Sequence, residues 1–582
     1  MRLYISIYQL VLFLFVPLCI NATNYYVDNT VSTSGNGLSW GTAWKNFSDI
    51  NWGVVEPGDI VYISGGMDST VYYEPLAIEA SGNPNHLVTV RNSYEAGHNG
   101  RVIIDGVDYS GTGILIGSSV SLSPDYVYVK GLEVRRFHNG VYLHYEVRVI
   151  TLDSLIVTDN YARGMFLVGN NSPREGYCID SVTIKNCTVI TPLDLDSQTD
   201  CLYIDDIART VIDHNYMRVR NYSSINNHSD VIQAHIARGI RITNNVFICD
   251  SNAQGMDFIL GAIDLDDDTF VDSVIIYNNY CFMGGIWFEG APWVAAGNNG
   301  WDPGFGGEHA QQPPVIVIHN TFVTNGPYVN GFHMEGHAEM MNNIMAMYGD
   351  GSTTHYHEPL RITPLISIDS VRHNLMWQEW LSGGDHFDFR GYIKGVSGNV
   401  GQCHSWDSWV NTYGGTGVCA DPLFVDQVGH MANQGDLSGE LQAGSPARNA
   451  GENIQAIIES MGLPWTDING NPRDSHPDIG AYEYAEEHGN LDTKNYSYTL
   501  NQNYPNPFNP STTIEYYTPQ LSWIKLVVYN SIAQEVQLLV DEEKASGLYK
   551  VEFNAANLSS GVYFYELQSA NFVETKKMVL IK

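Results

Sequence analysis

ITNNVF, residues 242–247, decides how this chain folds, because it comes back. An apolar residue, a variable one, Asn or a substitute, and a further apolar pair return as IKNCTV (184–189), IDHNYM (212–217), IYNNYC (276–281), IHNTFV (318–323) and MMNNIM (340–345). VKGLEV (129–134) and LDSLIV (152–157) are weaker, earlier copies. The Asn-type column reads Asn186, His214, Asn244, Asn278, Asn320 and Asn342, at intervals of 22 to 42 residues. A fixed unit separated by loops of changing length marks a repeat architecture.

Aligning the copies exposes a second set of columns. Inward candidates are Val141, Met165, Leu202, Ile232, Ile259, Ile286 and Phe332, and two positions on they are Leu143, Leu167, Ile204, Ala234, Gly261, Phe288 and Met334. Alternation at period two over such short segments is strand. With Asn at a recurring bend it predicts a parallel β-helix, in which stacked Asn side chains satisfy the backbone and one another. A β-sandwich with Greek-key turns is the alternative, but it has no reason to repeat one inward column in register.

The position just before the strand reads Asn139, Arg163, Asp200, Asp230, Asp257, Gly284 and Asn330. Rungs about 4.8 Å apart would set Asp200, Asp230 and Asp257 in a file, with separations of about 5 and about 10 Å that bracket glycosidase carboxyl pairs. Such acids need a cation, a retained proton or the charge of Arg163. Three readings stand: turn chemistry, a calcium site, or catalytic carboxylates. One outward column reads Tyr142, Phe166, Tyr203, Gln233, Leu260, Trp287 and His333, the next His144, Val168, Asp205, His235, Ala262, Glu289 and Glu335. Rings interleaved with acids and amides suit sugars, which offer apolar faces and hydroxyl edges. Asp205 could orient His235 as a general base, or the two form a structural pair. HMEGH (333–337) sets His333 and Glu335 near Glu289, either as metal ligands or as solvated polar residues. Loop 290–314, with Trp293, Trp301 and Phe305, reads as a cleft rim.

The chain has 582 residues, with 29 Lys and Arg against 64 Asp and Glu, a net charge of −35 and a pI near 4.7. That balance argues against nucleic acid, whose backbone is bound through Lys and Arg. An acidic glycan stays open if an arginine or a metal sits in the site. Arg2, the apolar run QLVLFLFVPLCI (9–20) and Ala22 read as a secretory signal over 1–22, and no later segment is apolar enough to span a membrane. Cys19 raises lipidation, which Leu18 disfavours. The cysteines read mainly as buried hydrophobes, with Cys403 and Cys419 suggesting one bridge.

Three stretches resemble known families. Residues 25–106, with YYVDN, GLSWGTAWKNF, PGDIVYISGG and VIIDG, resemble the start of secreted right-handed β-helix proteins of the pectate-lyase-like and chondroitinase-B-like superfamily. That resemblance implies polysaccharide elimination by Lys and Arg with calcium on the carboxylate, yet the aligned outward wall has no Lys and only Arg163. The acid file looks like polygalacturonase-type hydrolases, whose paired acids are represented by Asp205-Asp206 and Asp266 to Asp268. DPLFVDQ through TDINGNPRDSHPDIGAYEY (421–484) is similar to the closing segment of choice-of-anchor Q proteins. LNQNYPNPFNPSTTIEYY (500–517), GLYKVEFNAANLSSGVYFYEL (547–567) and ETKKMVLIK (574–582) resemble the type IX C-terminal sorting domain, a small β-sandwich. The expectation is a secreted or surface-attached monomer of a Gram-negative bacterium. Its parts are a β-helix over 25–400, a closing segment over 401–485 and a sorting sandwich over 496–582. Its partners are a polysaccharide and the type IX machinery, and its work is polysaccharide cleavage by elimination or hydrolysis, with a noncatalytic adhesin as the alternative.

Overall fold

The computed structural model describes residues 22–581 except 120–122, 170–178, 193–198, 221–228, 250–255, 260–272, 283–285, 290–314, 326–331, 336–337, 349–359, 368–369, 379–388, 426–438, 485–498, 501–502, 504–505, 507, 519–521, 531–533, 545–546, 556–557 and 570–571. The chain winds as a right-handed parallel β-helix, each coil laying one short strand on each of three faces. The coil from Asn139 shows the plan: Asn139–His144 on the first face, Arg148–Asp153 on the second and Ile156–Thr158 on the third, before Arg163–Val168 returns to the first. Like strands of successive coils pair in parallel, so Val141 meets Met165, Met165 meets Leu202 and Leu202 meets Ile232.

Both predicted inward columns are fully buried from Val141 and Leu143 to Ile232 and Ala234. Burying a side chain of this size contributes about 1.5–3 kcal/mol, and repetition along one axis yields a continuous core. The register departs from the expectation at one coil. Ile232 pairs with Met256 and Ala234 with Phe258, so Ile259 does not occupy the inward column, and Gly261 lies outside the described residues. Ile286 and Phe332 resume the expected file.

The bend divides its work between two consecutive residues. Gly131, Ser154, Asn186, His214, Asn244, Asn278, His319, Asn342 and His373 hold positive φ, which turns the chain. The residue after each points inward. Here the apolar Leu132, Leu155 and Cys187 give way to a buried ladder of Asn215, Asn245, Asn279, Asn320, Asn343 and Asn374. The Asn279 side chain accepts from the Asn245 backbone N–H (3.0 Å) and Nδ2 (2.9 Å), and its own Nδ2 donates to Ile242 O (2.8 Å) and to Asn320 Oδ1 (2.9 Å). The predicted Asn column therefore names the turning residues rather than the ladder, except that Asn320 belongs to the ladder and His319 to the turn.

Residues 400–419 close the C-terminal end. Cys403 and Trp409 are buried in the main core, and Gly417–Val418 pairs with Asn374–Leu375. Cys403 and Cys419 are free thiols, which corrects the suggested bridge. The described residues of 421–484 lie back along the later coils. Trp465, Ile454 and Ile458 pack on Tyr277, Ile318 and Met341, while Phe424, Leu441 and Tyr482 pack on Tyr280, Val323 and Tyr348. Buried Arg473 pins the segment, donating to Asn278 Oδ1 (2.9 Å), Gly480 O (2.9 Å) and Glu483 Oε1 (2.5 Å). Burial pushes the Glu483 carboxyl up to about 7 despite that guanidinium. Beyond it, a three-stranded and a four-stranded antiparallel sheet enclose a separate core that includes Ile514, Leu526, Phe553 and Tyr565.

Candidate functional site

The first face carries the candidate site, since its outward positions stack without interruption from coil to coil. Tyr142 pairs with Phe166, Phe166 with Tyr203 and Tyr203 with Gln233. Their rings form a line: His144 to Tyr142 at 5.0 Å, Tyr142 to Phe166 at 4.8 Å, Phe166 to Tyr203 at 5.3 Å and Tyr203 to His235 at 5.4 Å between centroids. Arg163 lays its guanidinium over this line, 4.6 Å from the Phe166 ring and 4.7 Å from that of Tyr203. Cation–π contact holds the charge at the wall while leaving it partly wet.

Tyr203 Oη and His235 Nδ1 stand 3.2 Å apart, within hydrogen-bond reach. Burial, with Arg163 adding, holds His235 below the ordinary histidine range, so the ring is neutral near pH 7. Burial raises the Asp205 carboxyl and the Tyr203 phenol. Asp205 and His235 are register partners as expected, but the side chain on His235 is Tyr203. The diagonal reach of a long side chain to the neighbouring strand is the signal that could have named Tyr203 as the partner.

The acid file is corrected. Asp200 and Asp230 do sit one above the other, with the Asp230 N–H donating to Asp200 Oδ1 (3.1 Å), but both are fully buried. Alternation alone does not explain this, because Cys201 and Val231, next to the acids, are fully buried as well; the strand entry on these two coils is enclosed on both sides. Arg163 Nε is 3.8 Å from Asp200 Oδ2, which places the buried acid behind the wall's cation rather than on the surface. Asp257 leaves the file, pairing with Gln233 on one side and Trp287 on the other. Asp257 thus does not continue the file of Asp200 and Asp230 in register, and no group of three or more His, Cys, Asp or Glu that could hold a metal occurs among the described residues. Below Asp257 the wall column continues in register through Trp287, His333, Arg361 and Arg390, with Glu289 opposite Ile259 and Glu335 opposite Thr363. Leu260 and Ala262, together with Trp293, Trp301 and Phe305 of the predicted rim, lie outside the described residues.

Residues 502–582 match the secretion system C-terminal sorting domain. The chain thus carries a tail read by the type IX machinery and is secreted or attached at the cell surface. No described helix is long and apolar enough to cross a membrane. Among curated proteins none matches. Solved structures similar to this chain include a lacto-N-biosidase from Eubacterium ramulus (10% identity, 69% of this chain and 67% of that one, TM-score 0.35). A tailspike protein from Acinetobacter baumannii bacteriophage Fri1, a capsular polysaccharide depolymerase, is similar at 10% identity (97% and 80% covered, TM-score 0.32). DFA-IIIase from Arthrobacter chlorophenolicus in complex with DFA-III is similar at 11% identity (76% and 91% covered, TM-score 0.28).

Proposed function

We propose that this chain is a carbohydrate-active enzyme that cleaves an extracellular polysaccharide on the first face of its β-helix, with Tyr203, His235, Arg163 and Asp205 at the reacting linkage. The observation that carries this is the hydrogen-bonded Tyr203–His235 pair under the Arg163 guanidinium, set within a file of stacked rings. These groups suit elimination at a uronic acid. A neutral His235 takes the proton beside the carboxylate, whose charge Arg163 offsets, with buried Asp200 holding that cation in place. As the carbon–carbon double bond forms and the glycosidic carbon–oxygen bond breaks, the Tyr203 hydroxyl gives its proton to the leaving oxygen. Their hydrogen bond then returns the proton from His235 to Tyr203. Gln233, Tyr142 and the column through Trp287 and His333, with Glu289, Glu335, Trp293 and Trp301, would bind flanking sugars.

Hydrolysis is the second reading, favoured by the raised carboxyl of Asp205 as a general acid, with Asp257 in the wall column as its partner. Incubation with alginate, pectin, glycosaminoglycans and neutral plant or algal glycans separates the readings. Elimination gives the absorbance of unsaturated uronate, hydrolysis gives reducing ends without it, and retention with no product on any glycan leaves the adhesin.

A further inference from the structure

We propose that Tyr109, His138 and Tyr161 form a second file of sugar-binding rings, at the corner where each coil enters the first face. This rests on the glycan reading of the wall and extends it to sugar units beyond the reacting linkage. The three residues belong to successive coils. Tyr109 precedes strand Thr112–Ile116, His138 precedes Asn139–His144 and Tyr161 precedes Arg163–Val168, and these strands pair in that order. Counted back from the paired Thr112, Asn139 and Arg163, the three rings stand three, one and two residues before the strand, so the corner carries one ring per coil at shifted positions.

All three side chains face solvent. Tyr109 is 38% and Tyr161 39% exposed, and His138 is also exposed. Phe137, Asn160 and Ala162 are buried, so the chain turns inward before His138 and on either side of Tyr161 and leaves those rings outside, whereas Tyr109 sits among exposed residues, Asp108 and Ser110. The backbone is pinned beneath, Tyr109 N–H donating to Arg136 O (3.0 Å) and Tyr161 N–H to Phe137 O (2.8 Å). The His138 and Tyr161 rings stack at 5.6 Å and 30°. Scattered exposed rings need no explanation, but here a stacked pair on adjacent coils, with a further exposed ring on the coil before, lies beside the proposed site. Flat faces with polar tips, on a fixed backbone, match the apolar face and hydroxyl rim of a pyranose.

The test uses the full chain and Tyr109→Ala, Tyr161→Ala and Tyr203→Phe variants, in gels and kinetic assays containing alginate, pectin or chondroitin sulfate. Because both corner tyrosines are exposed, their variants should melt with the wild type. Each should weaken gel retention and raise KM about fivefold with kcat unchanged. Unchanged retention and KM in both, while Tyr203→Phe loses turnover, overturns the corner file and leaves the wall reading standing. Loss of retention in the corner variants, with Tyr203→Phe cutting normally, supports the corner file and removes the wall chemistry. A wild-type chain retained by none of these glycans overturns both.

Discussion

At the bend, Asn215, Asn245, Asn279, Asn320, Asn343 and Asn374 repeat one side chain on six coils. On the wall, the same six coils read Tyr203, Gln233, Asp257, Trp287, His333 and Arg361 in register. The contrast separates two demands. A buried amide must give and receive the same hydrogen bonds on every rung, so identity repeats. An outward position owes its neighbours only a register, so it is free to differ and to carry chemistry.

Breaking the repeated side should have the largest effect. Asn279→Leu leaves the Asn245 N–H and the Ile242 carbonyl buried without these partners. It should cost about 3–5 kcal/mol, read as a lower urea midpoint, and an unchanged midpoint would show that the ladder is only decoration. On the varied side, Tyr203→Phe removes one hydroxyl and keeps the ring. Turnover should fall about 100-fold with an unchanged melting temperature, and turnover equal to wild type would remove Tyr203 from the chemistry. Arg163→Lys keeps the charge but not the planar stack on Phe166 and Tyr203. A loss of about tenfold in kcat/KM is expected, whereas a Lys variant as active as Arg would mean that charge alone suffices.

The smallest effect sharpens the comparison at a place where the turning column departs from Asn. Burial, with Arg473 adding, holds His319 well below its ordinary value of 6.5, so it is neutral when folded. The unfolded chain binds the extra proton below that value, and stability must therefore fall as pH drops through it, by about 0.8 kcal/mol at about pH 6. His319→Asn, the residue at Asn278 and Asn342, keeps the turn and removes this term. Parallel acid melting curves for variant and wild type would assign the acid sensitivity elsewhere.

The winding was legible because two independent periods agreed: alternation within strands, and the returning Asn-rich bend. Where they were ambiguous, the reading slipped. GMDFILGA (255–262) offers apolar residues at both 256 and 259, so alternation could not choose a register, and a shift of three carried Asp257 from the acid file to the wall. HN (319–320) offers two residues that both tolerate positive φ, and the frame slid by one. The burial of Asp200 and Asp230 was not legible, because Asn139 and Arg163 have the same spacing from Val141 and Met165 and stay partly exposed, whereas Cys201 and Val231 beside the acids are buried too. The Tyr203–His235 contact crosses between strands on a diagonal, which no linear pattern states.

Arg473 and Trp465 fasten coils whose strands were synthesised some 150 to 200 residues before them, at Tyr277, Asn278 and His319. The later coils thus remain bare along one flank until the end of the passenger emerges. For a protein that must leave the cell, maturation is timed by its own tail end: the solenoid becomes fully clad only once nearly all of the polypeptide is available on one side of a membrane.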